Sequence, residues 1–259
     1  MKLLTALVVL GSSALGTRAM APTALFAPAL GFQDSQRWTW DFALADGSRH
    51  IMTDRADMRV REQSNRGEVV IEWAIAPISE VLDDQVLPLP AALPPLRLRE
   101  TRARDGHMVD RDEHPIDGPW AWRYARLWAL QLPAEGELTV DANWTSLENA
   151  PDQAVPPIRG SYRVIGVAPD DRGQPGWRIR WSRTETEGEQ PISATGDTWV
   201  TGKGYWPWRI EAIVRNARVP GSESVLDADS GGATLTFTAV PWVKVVDTTP
   251  EPGPPNLIR

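Results

Sequence analysis

The sequence predicts an all-β protein: a strongly curved antiparallel sheet or unclosed barrel with at most one or two short helices. Three observations predict it. Apolar and polar residues alternate at period two in segment after segment. Short turn signals such as Asp46-Gly47, Asn65-Arg66-Gly67 and Asp105-Gly106 separate those segments, and glycine there supplies the positive φ that tight hairpins need. Proline-rich stretches break the remainder where neither helix nor ladder hydrogen bonds are sustained.

The elements follow in order. Trp38, Trp40, Phe42 and Leu44 alternate with polar neighbours and make the first strand, and His50 to Arg61 returns after Asp46-Gly47 as its partner. Val69, Ile71, Trp73 and Ile75 then share one face, with Glu68 and Glu72 on the other. Residues 77–95 hold five prolines and read as a long crossing loop, with one helical turn near Ile78 to Asp83. Leu96 to Arg104 and His107 to Glu113 flank Asp105-Gly106 as a second hairpin. Trp120 to Leu130 fits helical spacing or a strand with one gap, and its Ala, Arg and Leu content favours a short helix or a bent strand. Leu138, Val140, Ala142 and Trp144 make a strand. Ser161 to Ala168, then Trp177, Ile179 and Trp181, then Thr195 to Thr201 and Trp208 to Ala217 follow, and Ala233 to Val246 closes the domain with Pro241 at a bulge or edge. That is about ten strands, at spacings found in sandwiches, barrels and curved sheets.

The organisation is one β domain over residues 35–247, preceded by a Pro- and Ala-rich linker at 22–34 and followed by a Pro-rich tail at 248–259. Residues 1–21 have the secretory-signal pattern: Lys2, a short uncharged apolar run from Leu3 to Leu15, and the small residues Ala19 and Ala21 around Met20. Ala27-Pro28-Ala29 offers a later cleavage point, so the cut falls as late as residue 29 on that alternative. The apolar run is too short for a transmembrane helix of ~20 residues. With no cysteine in 259 residues, disulfides, thiolate metal sites and cysteine nucleophiles are excluded. A cysteine-free exported chain fits a bacterial periplasm or secretome. The formal net charge of −7 speaks against a nucleic-acid partner, because an acidic surface repels phosphate.

Few residues suggest chemistry. Asp110, Asp112 and His114 would share one strand face and are the only candidate metal ligands, but Arg111 sits among them and a solvated strand face beside a hairpin turn is the preferred reading, so no metal site is expected. Asp229-Ser230-Gly231-Gly232 has the look of a serine-protease nucleophile segment, yet no histidine stands in a matching context, so it reads as a Gly-rich loop. No phosphate loop, dinucleotide fingerprint or zinc motif is present, and no cofactor is expected. Two carboxylates from distant strands would still make a hydrolase.

Tryptophan is the informative excess. There are 13, against three tyrosines and four phenylalanines. Trp120 with Trp122 and Trp206 with Trp208 have the Trp-x-Trp spacing that puts two indoles on one side of a strand. They are the candidate ligand-binding residues, with Trp206-Pro207-Trp208 expected as an exposed loop-end pair. The structural alternative is that the indoles fill the hollow of a curved sheet.

The run from Gly196-Asp-Thr-Trp199-Val200 to Gly204-Tyr-Trp-Pro207-Trp-Arg-Ile-Glu211, with Leu130-Gln-Leu-Pro133, Gly136 and Trp144 upstream, resembles exported bacterial β-proteins of the lipoprotein-carrier (LolA-like) type. The resemblance covers about a third of the chain. It implies an unclosed barrel whose concave side holds acyl chains. The expected function is therefore non-catalytic binding of an apolar small molecule or an envelope partner on a Trp-lined concave face. A carbohydrate-binding module and a carboxylate-dependent hydrolase are the alternatives.

Overall fold

The computed structural model describes residues 25–89, 94–111, 124–133, 137–149, 156–170, 172–188, 191–217 and 232–242. Twelve strands form one antiparallel sheet: β1 (Gln33–Ala43), β2 (Arg49–Gln63), β3 (Val69–Leu82), β4 (Gln85–Val86), β5 (Leu96–Arg102), β6 (Met108–Arg111), β7 (Asn143–Glu148), β8 (Ile158–Val167), β9 (Gly176–Glu185), β10 (Ser193–Thr201), β11 (Pro207–Ala217) and β12 (Ala233–Pro241). Their spatial order is β6-β5-β3-β2-β1-β12-β11-β10-β9-β8-β7, with β4 added beside β3. The sheet is not closed, and the last strand lies beside the first, through pairs such as Trp40 with Phe237. The one helical piece among the described residues is a turn at 124–128.

Alternation builds the sheet as the sequence implies. Val69, Ile71 and Trp73 are buried, as are Met58 and Val60 opposite them on β2. On β9, Ile179, Trp181, Arg183 and Glu185 all turn to the inner face. Bulges interrupt the ladders between β2 and β3, β8 and β9, β10 and β11, and β11 and β12, and each adds a local bend and twist. Glycine permits the close packing inside the curve. A Cβ on Gly196 would lie 2.9 Å from the Trp181 indole and 2.3 Å from the Glu211 carbonyl oxygen.

The sheet edges come together around residues 124–133. The Trp144 indole of β7 donates to the Gln131 carbonyl at 2.9 Å. Gln131 Nε2 donates to Asp105 in the β5–β6 turn at 3.0 Å, and the Leu132 N–H donates to the Asp105 carbonyl at 2.6 Å. One segment thus spans from edge strand β7 to the opposite edge, across the hollow. Trp128 from it stacks on Phe237 of β12, with ring centroids 4.4 Å apart and planes 13° off parallel. Residues 25–32, within the stretch read as a linker, close one end of the hollow. The Phe26 N–H donates to the Arg104 carbonyl and the Ala27 N–H to the Gly204 carbonyl.

Two expectations are corrected. Residues 77–82 are not a crossing loop or a helical turn: β3 runs on to Leu82, and an Asp83-Asp84 turn, both residues at positive φ, leads into β4. Pro77 is tolerated because it sits at the β2–β3 bulge, beyond the last β5 pairing at Ile75. The strand expected from Leu138 begins only at Asn143, because Asp141 turns the chain at φ 67°.

Candidate functional site

The inner face of the sheet encloses a cavity of about 410 Å³. β1, β2, β3, β5, β11 and β12 wall it, and the 124–128 turn covers it. Trp38, Trp40, Trp73, Trp128 and Trp206 all line it. The rings form a continuous train. Trp206 lies 6.0 Å from Trp73, Trp73 5.0 Å from Trp38, Trp38 6.2 Å from Trp40, and Trp40 5.3 Å from Trp128. Each indole supplies a large apolar area with one N–H to satisfy. Trp206 Nε1 donates to Asp34 at 2.8 Å, and Trp38 Nε1 donates to Gln36 at 3.0 Å.

Three charged groups share this apolar wall besides Arg111. At one end Arg102 Nε donates to Glu100 at 2.8 Å, and both side chains are buried. Asp54 is different. It stands on β2 in the inward row of Met52, Ala56 and Met58, opposite Trp38. Its one hydrogen bond among the described residues comes from Trp40 Nε1, at 3.0 Å to Oδ2. Among the described residues no guanidinium or imidazole pairs with it. Burial pushes its pKa up from 3.8 to about 6; the Trp40 hydrogen bond opposes the rise, and the nearby Glu80 charge adds to it. Glu80 itself hydrogen-bonds His50 at 2.8 Å.

The raised value has a stability consequence of definite sign. The folded protein holds the Asp54 proton more tightly than the unfolded chain does. The resulting stabilisation is complete below the unfolded value of 3.8 and is lost as pH rises through about 6. Above that, the half-buried charge costs about 3 kcal/mol. Asp54→Asn keeps an acceptor for Trp40 and removes the charge. It is expected to raise unfolding stability by that amount near pH 7 and to change little near pH 4, as read by urea denaturation at the two pH values. Equal effects at both would refute the assignment.

The residues singled out from the sequence fall in several places. Trp206 lines the cavity and is only 2% exposed, so the expected loop-end platform is instead an interior side chain. The bulge between Trp199/Val200 and Pro207 re-aims the chain there. Trp208 is half-buried, does not line the cavity, and has a buried N–H with no partner among the described residues. Trp120, Trp122, Asp112 and His114 lie outside the described residues. Asp110 is exposed on edge strand β6. Among the described residues no group of three or more His, Asp or Glu side chains is arranged to hold a metal ion. His107 is held by Asp105, with Nδ1 2.5 Å from Oδ1. That hydrogen bond raises the imidazole pKa against the opposing effect of burial. Burial works to raise Asp105, but its hydrogen bonds to His107 and Gln131 outweigh it and hold the carboxyl below its usual range.

Sequence reasoning missed Asp54, Trp73 and Trp128 as cavity residues. For Asp54 the signal was present: it interrupts the apolar alternation of β2 with a charge.

The outer face is built otherwise. Trp199 is covered by Arg178 at 4.9 Å and Arg209 at 4.6 Å. Around it Arg178 and Arg180 bond to Asp197, and Arg209 bonds to Glu211. A broader depression of about 660 Å³ lies beside them, edged by Ser161, Ser182, Thr195 and Thr238 and mostly apolar in its lining.

No family model matches the chain, and no curated protein matches it. Among solved structures it is similar to lipovitellin, in a structure concerned with lipid–protein interactions, at 12% identity and a TM-score of 0.50. The likeness covers 84% of this chain and 25% of the lipovitellin chain, so the chain spans about a quarter of that protein. At that identity what the two share is the fold. The comparison does not extend to lipoprotein carriers, and that expectation is corrected to a distant likeness of fold.

Proposed function

We propose that this protein is a non-catalytic binder of a small apolar or amphipathic molecule, held in the Trp-lined cavity on the inner face of the sheet. The carrying observation is the cavity itself: about 410 Å³ between a curved sheet and a covering segment, with five indoles in its wall. Small-molecule sites are concave, mostly apolar and supplied with a few polar groups, and this site has that composition. The similarity to lipovitellin is in keeping with the reading. The inward position of Trp206 favours an interior site over an external sugar platform. Export to a bacterial periplasm or medium belongs to the same proposal and rests on the leader pattern of residues 1–21. The finer likeness to lipoprotein carriers is a reading of the sequence at residues 196–211, with Leu130 to Pro133, Gly136 and Trp144 upstream.

The test is displacement. A lipophilic dye such as N-phenyl-naphthylamine is expected to gain fluorescence with the purified protein, and added decanol is expected to reverse the gain. Trp128→Ala, checked for folding by circular dichroism, is expected to weaken dye binding about tenfold, because loss of ~1.4 kcal/mol of ring contact is a factor of ten. A folded wild-type protein that leaves the dye dark ends the proposal.

A further inference from the structure

We infer that the ligand of the cavity is an amphiphile with a cationic nitrogen head, an amine or quaternary ammonium, seated against Asp54 and the indoles of Trp38 and Trp40. The inference rests on the cavity being the ligand site.

The argument begins with a charge that the fold does not neutralise. Asp54 lines an otherwise apolar part of the cavity and receives one neutral hydrogen bond, from Trp40 Nε1 to Oδ2. Asp54 is half-buried, and the fully buried carboxylates of known pairing do better: Glu100 has Arg102, Glu148 has both Arg126 and Arg183, and Asp197 has Arg178 and Arg180. Buried charges are ordinarily paired. The closest acidic influence on Asp54 is Glu80, which makes this end of the cavity more negative. The field there favours a cation and opposes an anion. An indole face attracts an organic cation through its quadrupole, most strongly where water is excluded. Two such rings flank the carboxylate, since Trp38 is its register partner across β1 and β2 and Trp40 is its hydrogen-bond donor.

Size limits the tail. At ~30 Å³ per heavy-atom group, as for water in the liquid, 410 Å³ holds about 14 such groups. That is one short alkyl chain with its head and excludes a two-chain lipid. At the far end of the cavity lie Arg102, already paired to Glu100, and Arg111, which also has a partner. An anionic head would have to compete with those partners.

The experiment uses the full chain and three probes of one tail length below their micelle concentrations: decyltrimethylammonium, decanol and decanoate. Binding is read by tryptophan emission and by calorimetry, on wild type and on Asp54→Asn. The expected result is that the ammonium binds wild type about tenfold or more tightly than decanol, with decanoate weakest, a difference of ~1.4 kcal/mol or more. Asp54→Asn is expected to abolish the preference while still binding decanol. If the three probes bind alike, or the preference survives in Asp54→Asn, the head-group inference falls and the cavity reading stands. If decanoate binds best, the polar end lies at Arg111 and the inference is overturned. If none binds a folded protein, both readings fall together.

Discussion

Glu148→Ala is expected to destabilise the protein by about 3–5 kcal/mol, the usual cost of removing one partner from a buried ion pair. Glu148 stands at the end of edge strand β7 with only 6% of its surface exposed. One carboxylate oxygen accepts from Arg126 Nε at 2.6 Å, and the other accepts from Arg183 Nη2. Arg126 is fully buried and Arg183 is 1% exposed. Arg126 belongs to the covering turn and also donates to the carbonyls of Pro156 and Asn149. Arg183 belongs to β9 and donates to the Ala129 carbonyl. One carboxylate therefore ties the covering segment to the sheet at two points. Its removal leaves two guanidinium groups buried without a counter-charge. Urea denaturation reads the loss. Tryptophan emission should also shift to longer wavelength in the native baseline, because Trp128 rides on the same turn. A change below about 1 kcal/mol, the range of exposed pairs, would show that the three side chains do not act as a buried unit.

The second large effect is at Phe26. A chain beginning at residue 30 is expected to be about 3–5 kcal/mol less stable than one beginning at residue 22, the range for deleting a buried phenylalanine. Phe26 is 1% exposed; its ring lies 6.1 Å from Trp206 and 5.8 Å from the Arg102 guanidinium. Backbone bonds from Phe26 and Ala27 join the β5–β6 turn to the β10–β11 turn, and Gln63 Nε2 bonds to the Pro28 carbonyl at 2.6 Å. Of the two cleavage points that the sequence offers, the one after Ala21 keeps this latch and one as late as residue 29 removes it. Phe26→Ala in the longer chain separates the ring from the backbone bonds and should account for most of the difference. Equal unfolding midpoints for the two chains would mean that the end of the hollow closes without this segment.

Both effects come from residues that carried no sequence signal of their importance. Glu148 reads as an ordinary strand-end acid, and Phe26 sits in a stretch whose proline and alanine content suggests a linker. Strand faces were legible for the opposite reason. A period of two follows from the pleat of a single strand, so Trp38, Trp40 and Phe42, or Val69, Ile71 and Trp73, reveal their common side without reference to any partner. Turns were legible on the same local ground: Gly47, Gly67 and Gly106 all have positive φ where the sequence placed hairpins. Pro77 misled because proline density describes a missing donor, and only the β2–β3 bulge shows that no donor is required there.

By itself, then, the sequence determined the β class, the antiparallel meander, most of the turns and the shared face of Trp38 and Trp40. The tertiary structure alone decided that the sheet curls until both edges reach residues 131–132, that Trp206 turns inward, and that Glu148 meets two arginines while Asp54, among the described residues, meets only the Trp40 indole N–H. The physical reason is range. Alternation and turn preference act between neighbours in the chain. Ion pairing, desolvation and cavity shape depend on groups such as Arg126 and Arg183, or Asp54 and Trp40, that only the folded sheet brings within a few ångströms of one another.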